Sequence, residues 1–356
     1  MRIGILAIGS MPPNVEGFIL NLARLIGDVH QIDVIVDRSP PDTVAGAARC
    51  LTYPFRSRSR GWRRLESALV LRRYAREHRP DLLTHVVDFE TYGLAVTVAG
   101  LTRGIPTFVR YGGQIFEAYR LHRGVSRYRA FFLTNILGQI PLRLSTRIVT
   151  VGPNLRKEVI SHGGAPFRVE VLPQPIDAGS FSVDADPERR GRLSLPIEGR
   201  VVLVVGRLER LKGMDALLQV IPRVRQIRPD TWFCFVGNGP YADRLGRLQG
   251  VTLAGKTPRR LVPEYLAAAD LVLHASLTEG VANVLLEALA AGVPVVSRDV
   301  GDASFVTSHL FRTDEELVEW LTVRDWEPEA LPAAFGDAAL RAAYLEFIEE
   351  VVRARR

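Results

Sequence analysis

Ser276-Leu277-Thr278-Glu279-Gly280-Val281-Ala282-Asn283-Val284-Leu285-Leu286-Glu287-Ala288-Leu289-Ala290-Ala291-Gly292-Val293-Pro294-Val295-Val296 reads as a polar loop, a short helix and a buried strand. Val284, Leu285, Ala288, Leu289 and Ala291 recur at helical spacing, Gly292 stops the helix, and Pro294 opens an apolar run. Glu287 lies one turn in and points back toward the helix start. The backbone N–H groups from Ala282 to Leu285, through Asn283 and Val284, form the partly positive end of the helix, suited to a phosphate. Glu279 and Glu287 flank that place. Carboxylates accept hydrogen bonds from hydroxyls, so the pair suggests a sugar joined to a phosphate.

Working outward, Asp270–Ser276 is the strand that delivers this loop. Upstream, Arg200–Val205 is an uninterrupted apolar run, the pattern of a parallel strand buried on both faces. It ends in Gly206-Arg207-Leu208-Glu209-Arg210-Leu211-Lys212-Gly213, then a helix from Ala216. A strand end followed by Gly, Arg and Lys is where an open α/β sheet places a pyrophosphate, whose charge the two cations neutralise. The chain holds only three lysines, Lys157, Lys212 and Lys256. Where Arg is otherwise chosen, a Lys marks a need for a compact point charge.

These motifs together resemble the group 1, family 4-like retaining GT-B glycosyltransferases. The matching elements are Gly206-Arg207 with Lys212-Gly213, Glu279 and Glu287 eight residues apart, and Ala290-Ala291-Gly292-Val293-Pro294-Val295-Val296. The resemblance implies an α/β fold of two Rossmann-like domains with parallel sheets facing a central cleft. It implies that Arg207 and Lys212 bind the donor diphosphate and stabilise the leaving group, that Glu279 contacts the donor sugar, and that Glu287 holds the nucleotide ribose. Gly206, the Gly237 turn, Gly255, Lys256 and the stretch Gly280-Val281-Ala282-Asn283-Val284-Leu285 then line the donor site. Val281 and Ala282 stand where the family often has an aromatic residue and a Gly, which bears on which hexose fits.

The N-terminal half alternates strand and helix signals, the pattern of a parallel sheet wrapped by helices. Gly9 to Gly17 is read as a loop between the first strand and a helix opening at Phe18. It is similar to the family's N-terminal loop, with Glu16 in place of the first of two glycines and Gly17 as the second. G-x-G-x-x-G is absent. Relatives carry a His after the strand Ile105–Arg110; this chain has Tyr111-Gly112-Gly113-Gln114 there. Arg110, Tyr111, Gln114 or His85 are the candidates to replace it on the acceptor side.

Arg56 to Arg64 is basic around Trp62, and a helix follows with Leu65, Ala68, Leu69 and Ala75 expected inward and Arg72, Arg73 and Arg76 outward. It fits a solvated helix face, or RNA or lipid headgroups. Tyr128–Ile140 is apolar and aromatic, expected to pack on the sheet, with contact to a lipid-linked acceptor the alternative. Val169–Asp177 resembles the interdomain crossing. The boundaries expected are residues 1–172 for an acceptor-binding domain, 173–199 for a linker, 200–335 for the nucleotide-sugar domain, and 336–356 for a last helix crossing back. Asp184-Ala185-Asp186 lies in an acidic stretch away from any strand end and is read as chance rather than a metal motif.

At 356 residues with 47% hydrophobic residues the chain can build two proper cores. Cys50 and Cys234 fall in opposite halves and read as reduced thiols. Met1–Ile8 is too short for a signal peptide and reads as a first strand, and no apolar run is long enough to span a membrane. Residues 1–172 hold 24 basic and 13 acidic side chains, against 22 and 26 in 173–356. The basic first half suits an anionic or lipid-linked acceptor and a peripheral contact with an anionic membrane.

The reading is a cytoplasmic retaining transferase, possible at the inner face of the membrane. It moves a hexose-type sugar from a nucleotide-diphosphate sugar to a hydroxyl of a glycan, lipid-linked or small-molecule acceptor. No metal, further cofactor or nucleic-acid partner is expected. A nucleotide-sugar epimerase on the same fold and a non-catalytic sugar-nucleotide-binding protein are the alternatives.

Overall fold

The computed structural model describes residues 1–9, 11–55, 60–86, 88–116, 118–121 and 125–354. The Arg56-Ser57-Arg58-Ser59 part of the basic stretch lies outside the described residues. The chain forms two compact units, one of residues 1–176 with 334–356, the other of residues 177–333.

Unit 1 contains β1 (Arg2–Leu6), β2 (Gln31–Val36), β3 (Arg49–Thr52), β4 (Leu82–His85), β5 (Phe108–Tyr111), β6 (Arg147–Thr150) and β7 (Val169–Val171). They pair in parallel as β3-β2-β1-β4 and β5-β6-β7, and a parallel bridge from Leu83 to Thr107 joins the two sets. Ile3, Ile5, Val34 and Ile35 are buried, as strands covered on both faces require.

Helix Pro13–Ile26 starts five residues earlier than its apolar pattern suggests. Pro12 is extended and Pro13 is pre-set for the first helical position. Glu16 and Gly17 therefore belong to the helix rather than to a loop. The last helix, Asp337–Arg353, belongs to unit 1: Leu340, Tyr344, Phe347 and Ile348 are buried, Phe347 meets Phe108 edge-on, and Arg341 forks onto Asp28 at 2.9 and 2.7 Å.

Unit 2 contains β8 (Arg200–Val205), β9 (Thr231–Val236), β10 (Val251–Gly255), β11 (Leu271–His274), β12 (Val295–Arg298) and β13 (Leu310–Phe311), all parallel in the order β10-β9-β8-β11-β12-β13. Helix Met214–Ile227 lays Leu217, Val220, Ile221 and Val224 onto this sheet, one apolar stripe at helical period. Helix Asp314–Thr322 begins with a reciprocal capping box between Thr313 and Glu316.

Three further expectations need correction. Residues 177–199 are no free linker but part of unit 2: Phe181 and Leu195 are buried, Arg189 pairs with Glu264 at 2.9 Å, and Arg190 with Asp270 at 2.7 Å. Asp186 accepts from the Glu188 backbone at 2.9 Å and pairs with Arg192, so it serves a local turn. Helix Arg60–His78 is also rotated from its expected orientation. Val70, Leu71, Tyr74 and Ala75 are buried, while Leu65 and Leu69 face solvent with Trp62. Tyr74 decides this, because its hydroxyl donates to the fully buried Asp33 at 2.9 Å. Tyr128–Ile140 is helical at Val125–Phe131 and turns more widely over Phe132–Leu137, leaving Tyr128, Phe131, Phe132 and Ile136 exposed.

Candidate active site

Because β9, β8 and β11 are adjacent and parallel, their C-terminal ends share one edge of the unit 2 sheet. The ladder runs on past the strands: Gly206 N–H donates to Val236 O at 2.9 Å, and Gly237 N–H to Gly255 O at 2.8 Å. Gly237 has φ +149°, and a Cβ there would lie 1.8 Å from the Gly206 carbonyl oxygen, so only glycine lets these two turns touch. Beyond Gly206, Leu208 is buried and Arg207 extends outward, its side chain 72% exposed and paired with Glu209 at 2.9 Å.

The single turn Arg210–Lys212 is pressed onto the end of β11. Gly213, at φ +79°, makes this possible, since a Cβ would stand 2.0 Å from Ala275 O. Leu277 N–H donates to Leu211 O at 2.9 Å across the same junction. The result sets Lys212 Nζ directly against the carboxylate of Glu279. His274, the last residue of β11, places Nε2 3.8 Å from the same carboxylate oxygen, too far for a hydrogen bond. Its Nδ1 contacts Ser297 Oγ at 2.8 Å.

Burial opposes ionisation of Glu279 more than any other single influence. His274 and Lys212 together outweigh it and hold the carboxyl at about 2. The loop after β12 supports this corner, with Asp302 N–H donating to Gly280 O at 2.9 Å.

Val281 and Ala282 are buried, and helix Asn283–Ala290 follows. Ala282 occupies the capping position and has no side chain able to close it, and Val284 and Leu285 belong to the first turn. Glu287 is buried on this helix, and its nearest cation is Arg259, at 3.3 Å. Burial pushes the Glu287 carboxyl above the usual glutamate range, with Arg259 pulling the other way. The carboxyls of two glutamates in one short stretch are thus shifted in opposite directions. Lys256, just after Gly255 at the end of β10, is exposed.

In unit 1 the candidates are more dispersed. Gly9 N–H donates to Asp37 at 2.8 Å, and Glu16 accepts from the Thr43 hydroxyl. His85 is fully buried at the end of β4, and its Nε2 accepts from the Arg110 backbone N–H at 3.1 Å. That ring ties β4 to β5. Tyr111 is also buried, donating to Glu158 at 2.6 Å and accepting from Ile115 N–H at 3.1 Å. Arg110 is different. Its guanidinium stacks 3.6 Å over the Phe18 ring, and its buried Nε has no hydrogen-bond partner among the described residues. Desolvation lowers its affinity for its proton, with the nearby Tyr344 a smaller opposing influence.

Sequence reading passed over two residues at the unit 2 site. For His274 the signal was its place at a strand end, five residues before Glu279. Arg259 carried no signal, because its pairing with Glu287 is made only by tertiary folding. Among the described residues no group of three His, Cys, Asp or Glu side chains could hold a metal.

A cation, an ionised carboxylate and a helix start at one sheet edge can hold an anionic group beside hydroxyls. Comparison with known proteins gives the family. Residues 199–338 match the family model for glycosyl transferases group 1, and residues 15–179 that for glycosyltransferase family 4. A Bacillus subtilis protein named for glycosyltransferase action in teichuronic acid biosynthesis, TuaC, is 30% identical over 279 residues, covering 75% of this chain and 68% of its own. A D-inositol 3-phosphate glycosyltransferase of Segniliparus rotundus is 31% identical over 189 residues, 50% of this chain and 40% of its own. The structure of Anabaena Alr3699/HepE in complex with UDP-glucose superposes with a TM-score of 0.71 at 19% identity, covering 100% of this chain and 97% of that one. The chain belongs to the group 1, family 4-like glycosyltransferases and has their GT-B fold of two Rossmann-like units.

Proposed function

We propose that this glycosyltransferase moves a hexose-type sugar from a nucleotide-diphosphate sugar to an acceptor hydroxyl, with retention at the anomeric carbon. The observation that carries the reading is the Lys212–Glu279 pair beside His274, next to the start of helix Asn283–Ala290. Breaking a sugar–phosphate bond leaves positive charge on the ring and negative charge on the phosphate. Lys212 and the helix start stabilise the phosphate, and Arg207, exposed beside Glu209, adds the second cation. The two cations do the work that a metal would otherwise do. Ionised Glu279 accepts from the sugar hydroxyls, and Glu287 accepts from the ribose. Val281 and Ala282 shape the hexose pocket.

The acceptor is anionic, as a free small molecule, a glycan or a lipid-linked group. Arg110 supports this, being a buried guanidinium faced by no carboxylate among the described residues. The Segniliparus relative, whose name specifies an inositol phosphate, points the same way.

The test is a thermal-shift panel of UDP, GDP, ADP and dTDP with their sugars, on wild type and Glu287→Gln. One nucleotide family should raise the melting point of the wild type and lose most of that effect in the variant. No shift from any of them would sink the donor-site reading. Release of nucleotide that requires an acceptor separates transfer from epimerisation.

A further inference from the structure

His274 ends β11 with its ring buried, 7% exposed, and its neighbours fix where the ring hydrogen sits. The Ser297 hydroxyl lies 2.9 Å from Arg298 O, a carbonyl oxygen that can only accept, so the hydroxyl hydrogen points there. Ser297 Oγ is left as an acceptor, and His274 Nδ1, 2.8 Å away, carries the hydrogen between them. Nε2 is therefore the nitrogen whose hydrogen is not fixed. It is buried and has no hydrogen-bond partner among the described residues, which is rare for a buried polar atom. It faces Glu279 Oε2 at 3.8 Å, the same carboxylate oxygen that Lys212 Nζ holds.

One carboxylate oxygen thus faces two nitrogens, and one of the two is needed elsewhere. On the donor-site reading, on which this inference rests, Lys212 turns to the donor diphosphate. Glu279 then loses the cation against it, while its side chain is only 25% exposed. An ionised carboxylate so placed needs another partner. Arg298 on β12 does not supply it, because its guanidinium is turned to Ala275 O and Asp314, each at 3.4 Å. Asp302, whose N–H holds Gly280 O, adds a fully buried carboxyl to this corner and not a cation. His274 is in place to succeed Lys212. With its single hydrogen on Nδ1 the ring offers Glu279 a bare lone pair. With a second hydrogen on Nε2 it offers an N–H donor and a positive charge.

We propose that His274 is a positioning residue: when the donor draws Lys212 away, Nε2 takes up a proton and its N–H donates to Glu279. The proton comes from solvent, the imidazole becomes an imidazolium, and the proton returns to solvent when the nucleotide leaves and Lys212 pairs with Glu279 again. Glu279 stays ionised and in place for the sugar hydroxyls throughout the exchange. The unpartnered Nε2 is a reserve partner, kept free of a fixed hydrogen by Ser297. The donor-bound state holds more protons than the free one. Donor affinity should therefore fall as pH rises through the range where the bound ring keeps that proton and the free ring does not, by up to about tenfold per pH unit.

The test is calorimetric titration of the full chain with UDP-, GDP-, ADP- and dTDP-glucose in turn, repeated in buffers of different ionisation enthalpy so that protons taken up on binding are counted. Both ends of the pyrophosphate are esterified in these ligands, so they bring no group that titrates near neutrality. At its maximum across roughly pH 6 to 8, the wild type should take up about half a proton or more per donor bound. His274→Gln keeps an amide N–H for Glu279 but gains no proton, so it should bind the donor without uptake and with a flat pH profile. Ser297→Ala releases the ring to carry its single hydrogen on Nε2, and uptake should drop by at least about half. This second variant decides the question if His274→Gln does not fold. A merely structural His274 would change the melting temperature and leave uptake as it is. Donor binding by the wild type without uptake, or undiminished uptake in the folded variants, would overturn the exchange and leave the donor site standing. No binding of any of the four sugars would remove the donor site itself, and this inference with it.

Discussion

The two units build the same kind of place, the C-terminal edge of a parallel sheet, and use it differently. At the ends of β8 and β11, Lys212, Glu279 and His274 are packed against one another, with His274 buried and Lys212 and Glu279 partly open to solvent. At the ends of β4 and β5, His85 and Tyr111 are spent on the fold: one holds a backbone N–H, the other links Glu158 to the following turn. Polar residues at a sheet edge are therefore not equivalent. Those whose hydrogen-bonding capacity is used by neighbouring backbone position the strands. Those that face only another movable charge are free to exchange that partner for a ligand. In unit 1 Arg110 stacks on Phe18, and its buried Nε has no hydrogen-bond partner among the described residues.

The comparison breaks most decisively at Lys212. Lys212→Ala should cut kcat/KM by about 100- to 1000-fold, about 3–4 kcal/mol, the usual loss when one charge stabiliser is removed from a developing anion. Loss of the cation also leaves Glu279 buried beside His274 alone, so its carboxyl should rise from about 2. Steady-state transfer with a saturating acceptor checks the first expectation. A rate within a few-fold of wild type would make Lys212 a structural partner, like His85.

Glycines sharpen the same contrast on the stability side. Gly213→Ala drives a Cβ into Ala275 O at a backbone angle that disfavours L-residues, and it lies next to Lys212. It should cost about 2–4 kcal/mol of unfolding free energy and abolish nucleotide-induced stabilisation together. Gly112, after β5, meets nothing within 4 Å of an added Cβ, so Gly112→Ala should stay within about 0.5 kcal/mol. Denaturant melts of the two variants give the difference. Equal costs would mean that the unit 2 turn yields more readily than its geometry implies.

How much of this was legible in the sequence follows from the range of the interactions. Alternating strands and helices, the Gly206–Lys212 turn and the Glu279-to-Glu287 spacing are local patterns, and they stood in the chain as read. The start of the first helix was missed because Pro13 acts through backbone angle, while the apolar count begins only at Phe18. The rotation of helix Arg60–His78 was missed because one buried hydrogen bond, Tyr74 to Asp33, overrode the apolar pattern. Residues 177–199 looked like a linker because their polar composition hides anchors that exist only in three dimensions, such as Arg189 on Glu264. Arg259 against Glu287 belongs to the same class.

The smallest expected effect separates the two glutamates by pH. Glu279 is held near 2, below the ordinary 4.5, so its ionised form stabilises the fold above 4.5, and that contribution fades only as pH drops from 4.5 toward 2. Glu287 has the opposite sign: burial raises it, its charge costs stability at neutral pH, and protonation on acidification relieves that cost. Acidification should therefore remove the Glu287 charge first, while the Lys212–Glu279 pair and the fold are intact. Affinity for the nucleotide diphosphate should weaken by about tenfold on that limb, through loss of an acceptor for ribose hydroxyls. Calorimetric titrations across pH on wild type and Glu287→Gln isolate the effect, because titration of the ligand's own phosphates is common to both. The variant should bind weakly with a flatter profile. If it keeps the full acid limb, the titrating group lies elsewhere, and the opposition of the two glutamates is a feature of the fold and not of ligand binding.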